Sequence, residues 1–256
     1  MVLFIGYSPE DRAWRSYHDF LKKIILDFGL RTICEIGCGA NPEFSYPELE
    51  RAKDEYHLMD ISETELAKAP DEYIKIVADV TSPDLPSEHK YDLIFTKMLA
   101  EHVADGKAFH TNILHLLSPN GVAVHFFPTL FNVPFIINKI SPERISDKLL
   151  YYFSRYHHKF PAKYSWCYGA TKKQIGRFDN LGYRVIVYGG FFGHEGYWEK
   201  IPVFRDIHVA KTAFLLKHPN PHFTSYAIIV VVKKESAETI DSGITDEYKK
   251  HFINSL

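Results

Sequence analysis

"ICEIGCGANP", residues 33–42, is an apolar strand that stops abruptly at two closely spaced glycines. Ile33, Cys34 and Ile36 suit a buried strand. Gly37 and Gly39 would let backbone N–H groups approach a ligand closely. In open α/β sheets ligands sit beyond the carboxyl ends of the strands, where strand order reverses. A dinucleotide fingerprint would need a third glycine at position 42, and this chain has Pro42 there.

Elements on either side repeat one alternation. "HDFLKKIILDFGL" (18–30) has helical spacing, with Phe20, Leu21, Ile24, Ile25 and Phe28 on one side. After the glycine loop come strand-like runs "EYHLMDIS" (55–62), "YIKIVADV" (73–80), "YDLIFTKM" (91–98) and "GVAVHFFP" (121–128), the last entered through "SPNG". Much later "YRVIVYGG" (183–190) and "SYAIIVVVKK" (225–234) complete seven strands. Ser62 with Glu65, and Thr171 with Gln174, have capping-box spacing for two of the helices between them. Strands alternating with helices predict a single α/β domain, Rossmann-like, with a mostly parallel sheet covered on both faces. Its cofactor half spans about 15–127. Two stretches, 128–170 and 189–224, exceed the minimal alternation and read as aromatic-rich cap inserts. Residues 235–256 read as a polar tail, a surface helix or partly disordered, without a catalytic role.

Composition excludes several classes. The 256 residues carry a formal charge of -2, too little positive charge for a protein that grips phosphate backbones, so no nucleic-acid partner is expected. The three cysteines lack C-x-x-C spacing, which argues against a disulfide framework and for a reducing, cytoplasmic setting. The longest apolar runs, such as "AIIVVV" (227–232), are far short of the roughly 20 residues of a membrane span. No secretory signal is expected, because the first residues carry an acid and no leading basic group.

The acids at the strand ends narrow the ligand. Asp60 ends the second strand, where a carboxylate accepts hydrogen bonds from ribose hydroxyls, and Asp79 ends the third, placed for an adenine amino group. Glu35 suits the ammonium of an amino-acid moiety. An adenosine with a cationic amino-acid tail and no phosphate describes S-adenosylmethionine. On "ICEIGCG", "LMDIS", "IVADV", "YDLIFTKMLAEHV", "LLSPNGVAV" and "NLGYRV", in that order, the chain resembles the class I S-adenosylmethionine-dependent methyltransferases. The resemblance implies a seven-stranded sheet of order 3-2-1-4-5-7-6 with the seventh strand antiparallel. It also implies a cofactor site lined by Glu35, Gly37, Cys38, Gly39, Asp60, Ile61, Asp79, Val80, Lys97 and Met98.

The acceptor is read from what is absent and from the inserts. Enzymes that methylate the amino groups of bases or glutamine carry Asn/Asp-Pro-Pro-Tyr/Phe after the fourth strand, and this chain has "FTKM" there. Catechol-type enzymes place a metal-binding Asp at that strand end, where Thr96 and Lys97 stand here. "AEHV" is similar to a run in quinone O-methyltransferases, but the acid three residues earlier is replaced by Met98. Glu101 and His102 alone are too few ligands for a hard cation, so no metal is expected. The inserts resemble those of methyltransferases from polysaccharide and glycan biosynthesis clusters. Their aromatic rings suit sugar faces, and Arg144, Arg155, His157, His158, Lys159 and Lys163 suit a nucleotide-sugar pyrophosphate.

These features imply O-methylation of a sugar for a cell-surface polysaccharide such as a capsule. A sugar hydroxyl is a poor nucleophile and needs a base. His194, in "GGFFGHEGYW" with Glu195 and Tyr197 to orient it, is the first catalytic candidate. His102, expected to start the helix after the fourth strand, and the adjacent Glu101 follow. His125 lies within a strand and reads as structural. The competing readings are a methyltransferase for a quinone, phosphate-like group or amine, and a non-catalytic adenosyl-binding subunit. Peripheral membrane contact through 129–168 is a further option, and oligomeric state is left open.

Overall fold

The computed structural model describes residues 3–49, 55–86, 88–130, 135–136, 162–194, 202–235 and 242–255. Eight strands form one sheet: β1 (Phe4–Pro9), β2 (Thr32–Ile36), β3 (Glu55–Asp60), β4 (Ile74–Val77), β5 (Tyr91–Lys97), β6 (Leu117–Pro128), β7 (Tyr183–Phe192) and β8 (Tyr226–Lys233). Their order is β1-β7-β8-β6-β5-β2-β3-β4, and only β8 runs antiparallel to its neighbours. The seven expected strands stand in the expected order. The eighth, β1, corrects the strand count. It adds to the outer edge of β7 with Phe4 opposite Val187 and Pro9 opposite Phe192. Its sequence, FIGYSP, carries Gly6 and Pro9, which depress strand propensity, so its pairing is decided by β7 and not locally.

Helix α1 (Glu10–Phe28) starts at Pro9, well before the expected His18, and buries Ala13, Tyr17, Phe20, Leu21, Ile24 and Ile25 at helical spacing. It stops at Gly29, whose left-handed backbone (φ 61°) sends its N–H to Ile25 O. The short α2 (Tyr46–Leu49) and α3 (Glu63–Leu66) follow, then α4 (Gly106–Leu116), α5 (Lys172–Leu181), α6 (Pro202–Lys217) and α7 (Ser242–Ser255). Ser62 and Thr171 do cap α3 and α5, accepting from Glu65 N and Gln174 N. Neither box is reciprocal: Glu65 pairs with Lys68, and Gln174 turns to Trp166 O.

The tail differs from its reading as a polar surface segment. α7 packs against α1 and β7, burying Tyr248, His251 and Phe252. Tyr248 meets Phe28 with ring centroids 4.1 Å apart, and Phe252 meets Phe20 at 5.4 Å. A Cβ on Gly189 would stand 2.3 Å from Phe252, so the bare backbone of β7 is what lets that ring lie against the sheet. Of the inserts, 189–224 continues β7 to Phe192 and then forms α6. Arg144, Arg155, His157, His158, Lys159, Glu195 and Tyr197 lie outside the described residues.

The core beneath β5 and β6 includes two imidazoles. His125 is fully buried, bonded through Nδ1 to Thr96 Oγ1 at 2.9 Å, with the buried His110 ring 5.0 Å away. Burial pushes the His125 imidazole down to about 3. The unfolded chain, titrating near 6.5, therefore takes up this proton first. The neutral ring's contribution is present above about pH 6.5 and is lost as pH falls toward 3, on the order of 4–5 kcal/mol in all. Urea unfolding followed from pH 7 to 4 should show this decline. His125→Asn, which can still bond Thr96, should be less stable at pH 7 and should flatten the slope relative to wild type.

Candidate active site

The glycine loop follows β2 and is held at both ends. Gly37 N donates to Met59 O at 2.8 Å, and Gly39 N donates to Asp60 Oδ2 at 2.9 Å. Both glycines have positive φ, 82° and 55°. A Cβ on Gly37 would lie 2.7 Å from the methyls of Leu99, so a side chain there would displace that side chain as well as strain the backbone. Glu35, the acid before the loop, is buried and faces inward. Its Oε2 accepts from Tyr56 Oη at 2.6 Å and from Glu43 N at 2.9 Å. Burial pushes its carboxyl up to about 7 against the lowering effect of those bonds. The structure thus gives Glu35 a loop-holding role, where an ammonium partner was expected.

Glu43, which sequence reasoning did not single out, is the loop's far anchor. Its carboxylate meets Lys97 Nζ at 2.8 Å and His18 Nδ1 at 3.3 Å. Lys97 is therefore tied to Glu43, with its ammonium 5.9 Å from the ring centroids of Trp14 and Tyr17. No sequence pattern marks Glu43 or Tyr56, because both contacts arise only when β2, β3 and β5 are laid side by side.

Other predicted cofactor residues fall along the same carboxyl edge. Asp60 Oδ1 accepts from Ser62 N at 2.9 Å, so each carboxylate oxygen of Asp60 already holds one backbone N–H and is fixed in place. Ile61 is 69% exposed, an apolar surface that an adenine ring could cover. Asp79 is exposed and accepts from Thr81 N and Oγ1, whereas Val80 points into the core, its carbonyl accepting from Asn112. Cys38 is half-buried beside Gly39. The sheet thus brings a close-approach loop and two strand-end acids to adjacent strands. This arrangement fits S-adenosylmethionine, with Gly37 and Gly39 as backbone cradle and Asp60 and Asp79 as acceptors.

The catalytic candidates separate. Glu101 lies two residues after Leu99, the side chain packed over Gly37. It is buried, its Oε2 has no hydrogen-bond partner among the described residues, and burial pushes its carboxyl up to about 8. Its carbonyl accepts from Lys163 N at 2.6 Å and Tyr164 N at 2.9 Å. Met98 and Tyr164, on either side of this contact, both have positive φ (55° and 51°), strain that clusters at functional sites. His102 does not start α4 as expected. Asp105 takes the N-cap, accepting from Lys107 N and Ala108 N, and leaves His102 in the preceding turn, with Nε2 3.6 Å from Glu101 Oε1. Among the described residues, no group of three or more His, Cys, Asp or Glu could hold a metal ion.

His194 follows β7, which stands four strands from β2, about 19 Å away at the ordinary strand spacing. Its Nδ1 meets Tyr226 Oη at 2.8 Å and Glu10 Oε2 at 3.2 Å, and Phe135 packs on the ring. From there an aromatic row runs back toward the glycine loop: Tyr226, then Trp14 at 5.7 Å, then Lys97.

Comparison with known proteins agrees with this geometry. Residues 34–125 match the family described as "Methyltransferase domain". A solved S-adenosylmethionine-dependent methyltransferase from Mesorhizobium loti superposes with a TM-score of 0.56 at 17% identity, covering 86% of this chain and 97% of that one. One from Listeria monocytogenes gives 0.54 at 14% identity, covering 86% and 99%. The N-methyltransferase NodS from Bradyrhizobium japonicum gives 0.51 at 12%, covering 88% and 98%. No curated protein matches the chain. Residues 34–125 are thus similar to a methyltransferase domain, and the chain has the fold of solved S-adenosylmethionine-dependent methyltransferases. Among the described residues no helix is long and apolar enough to cross a membrane.

The Gly37 cradle is the most exacting of these features. Gly37→Ala should weaken S-adenosylhomocysteine binding about tenfold or more by calorimetry, since the new methyl meets Leu99 and the φ of 82° is unfavourable for alanine. Adding Leu99→Ala should recover only part of the loss, because the backbone strain remains.

Proposed function

We propose that this chain O-methylates a sugar hydroxyl, on a nucleotide-activated sugar or a nascent glycan destined for a cell-surface polysaccharide such as a capsule, in the cytoplasm. The observation that carries a hydroxyl acceptor is Glu101: a buried carboxyl whose Oε2 is unpartnered among the described residues, beside the residue that packs on the cofactor loop. A buried polar atom left unpartnered is costly, and one explanation is a partner that arrives with the substrate. A neutral amine attacks with its own lone pair, so its transfer step depends less on a base than that of a hydroxyl.

S-adenosylmethionine supplies a methyl group already activated by positive sulfur. The protein's task is then alignment and removal of one proton. The loop from Gly37 to Glu43 fixes the donor side. Glu101 Oε2 takes the hydroxyl proton as the acceptor oxygen gains its methyl. A carboxyl held at about 8 is a stronger base than an ordinary glutamate and is close enough to neutrality to be ionised in part. Tyr164, Phe135 and Tyr226 are buried and back the half-exposed Trp14, whose ring is the one available to a ring-shaped acceptor. His194, buttressed by Glu10 and Tyr226, stands at the far end of the aromatic row and suits a role in holding the acceptor. A phenolic acceptor is the second reading, favoured by the approach of His102 to Glu101.

S-adenosylhomocysteine release should be measured against nucleotide sugars, phenols and amines, each with and without EDTA. Turnover on a nucleotide sugar unaffected by EDTA is the expected result, and turnover confined to phenols or amines would sink the sugar reading. With the acceptor found, kcat should rise with pH through about 8 as Glu101 ionises. Glu101→Gln should lower kcat by about 10²–10⁴-fold and abolish that limb, with S-adenosylhomocysteine affinity held within about threefold.

A further inference from the structure

A cavity that shares no residue with the glycine loop opens at the same edge of the sheet. It measures about 650 Å³, and its lining includes Tyr168, Thr171, Lys172, Lys173, Arg177 and His222. That volume is within the usual range of ligand pockets. Lys172, Lys173 and Arg177 are cationic, and among the described residues no carboxylate lines the space. The chain as a whole carries -2, so this concentration of positive groups is local and not a reflection of overall charge.

The cations are arranged, not scattered. Arg177 is held over the ring of Tyr168 at 5.0 Å and over Trp166 at 5.8 Å, and its Nη1 donates to Gln174 Oε1 at 3.0 Å. Gln174 is itself buried and bonded to Trp166 O. The guanidinium is thereby positioned before any ligand arrives. Lys172 and Lys173 open α5, where the helix dipole favours negative charge and the first N–H groups lack intrahelical acceptors. Thr171 Oγ1 takes the N–H of Gln174, leaving those of Lys172 and Lys173 at the helix start.

The cavity is also joined to the acceptor side of the active site. Segment 162–171 gives its Lys163 and Tyr164 N–H groups to Glu101 O, and Leu130, just beyond β6, donates to Cys167 O. From Tyr164 to Tyr168 the chain advances four residues, at most about 14 Å. An anion in the cavity therefore lies within one extended substrate's length of Glu101.

We infer that this cavity binds the diphosphate of the methyl acceptor, with Lys172, Lys173, Arg177 and the start of α5 holding the phosphates and Tyr168 beside them. The identity of the ligand rests on the methyl-transfer reading above, but anion binding is measurable without turnover. A nucleoside diphosphate and a lipid-linked diphosphate present the same chemistry. The test uses the full chain, with inorganic pyrophosphate, UDP and phosphatidylcholine vesicles carrying a polyprenyl diphosphate as probes. Pyrophosphate should bind, and the double substitution Lys172→Ala/Lys173→Ala should weaken it about tenfold. S-adenosylhomocysteine affinity, the control for folding, should stay within about twofold. Arg177→Gln should weaken pyrophosphate likewise. Tighter binding of UDP than of pyrophosphate identifies a nucleotide source, and capture by the vesicles with UDP no tighter than pyrophosphate identifies a lipid one. Pyrophosphate that fails to bind wild type, or binds the double variant equally well, overturns the site. A sugar acceptor whose KM is unchanged in the double variant overturns it too and leaves the sugar reading standing. Diphosphate binding lost in the variants, with every sugar silent as acceptor, keeps the site and removes the sugar.

Discussion

The buried carboxylate of Glu35 is the point on which the active edge depends. It joins β2 to β3 through Tyr56 and pulls the end of the glycine loop inward through Glu43 N. Glu43 in turn reaches Lys97 on β5 and His18 on α1. One interior acid therefore fixes a loop against three strands and a helix. An exposed ion pair contributes little, but here the charged groups are sheltered and hydrogen-bonded in a network, where truncating one member strands the others. The positive φ of Gly37 and Gly39 is what lets the chain make this return in so few residues.

Buried ionisable groups along β2, β5 and β6 divide into two kinds. Burial raises the carboxyls of Glu35 and Glu101 and depresses the imidazoles of His110 and His125. The histidines lie among Phe109, Trp166 and Phe178. The acids lie at the carboxyl edge. The two sets act oppositely on folding: acidification charges the histidines, whereas alkalinity charges the acids. Backbone strain falls at Met98, Tyr164 and Trp166, the first two near the Glu101 contact and the third packed against His110.

Much of this was legible in the sequence, for reasons that can be named. Seven strands and their helices advertise themselves by local periodicity, and the strand-end positions of Asp60 and Asp79 follow once the strands are seen. β1 was not legible, because Gly6 and Pro9 hide a strand whose partner is β7. The buried face of α7 was not legible either: "TDEYKKHF" looks polar, yet Tyr248, His251 and Phe252 are buried within it. In the site, the glycines were readable because their requirement is local. The burial of Glu101 and the anchoring by Glu43 and Tyr56 are tertiary facts. The remoteness of His194 from β2 follows from strand order, and weighing distance along the sheet would have exposed it.

Phe252 lying on the bare backbone of Gly189, and β1 paired to β7, have a consequence for how the molecule is made. Phe4 finds its partner at Val187, and the face of α1 that carries Phe20 and Phe28 is closed by α7. During synthesis at roughly 5–20 residues per second, the first strand waits on the order of 10–40 s for its neighbour to emerge. Through that interval an edge strand and the apolar side of α1 are exposed. The middle strands, β2 to β6, can pair among themselves as they appear. The nascent chain therefore assembles from its centre outward, and its opening segment is among the last to be locked in place.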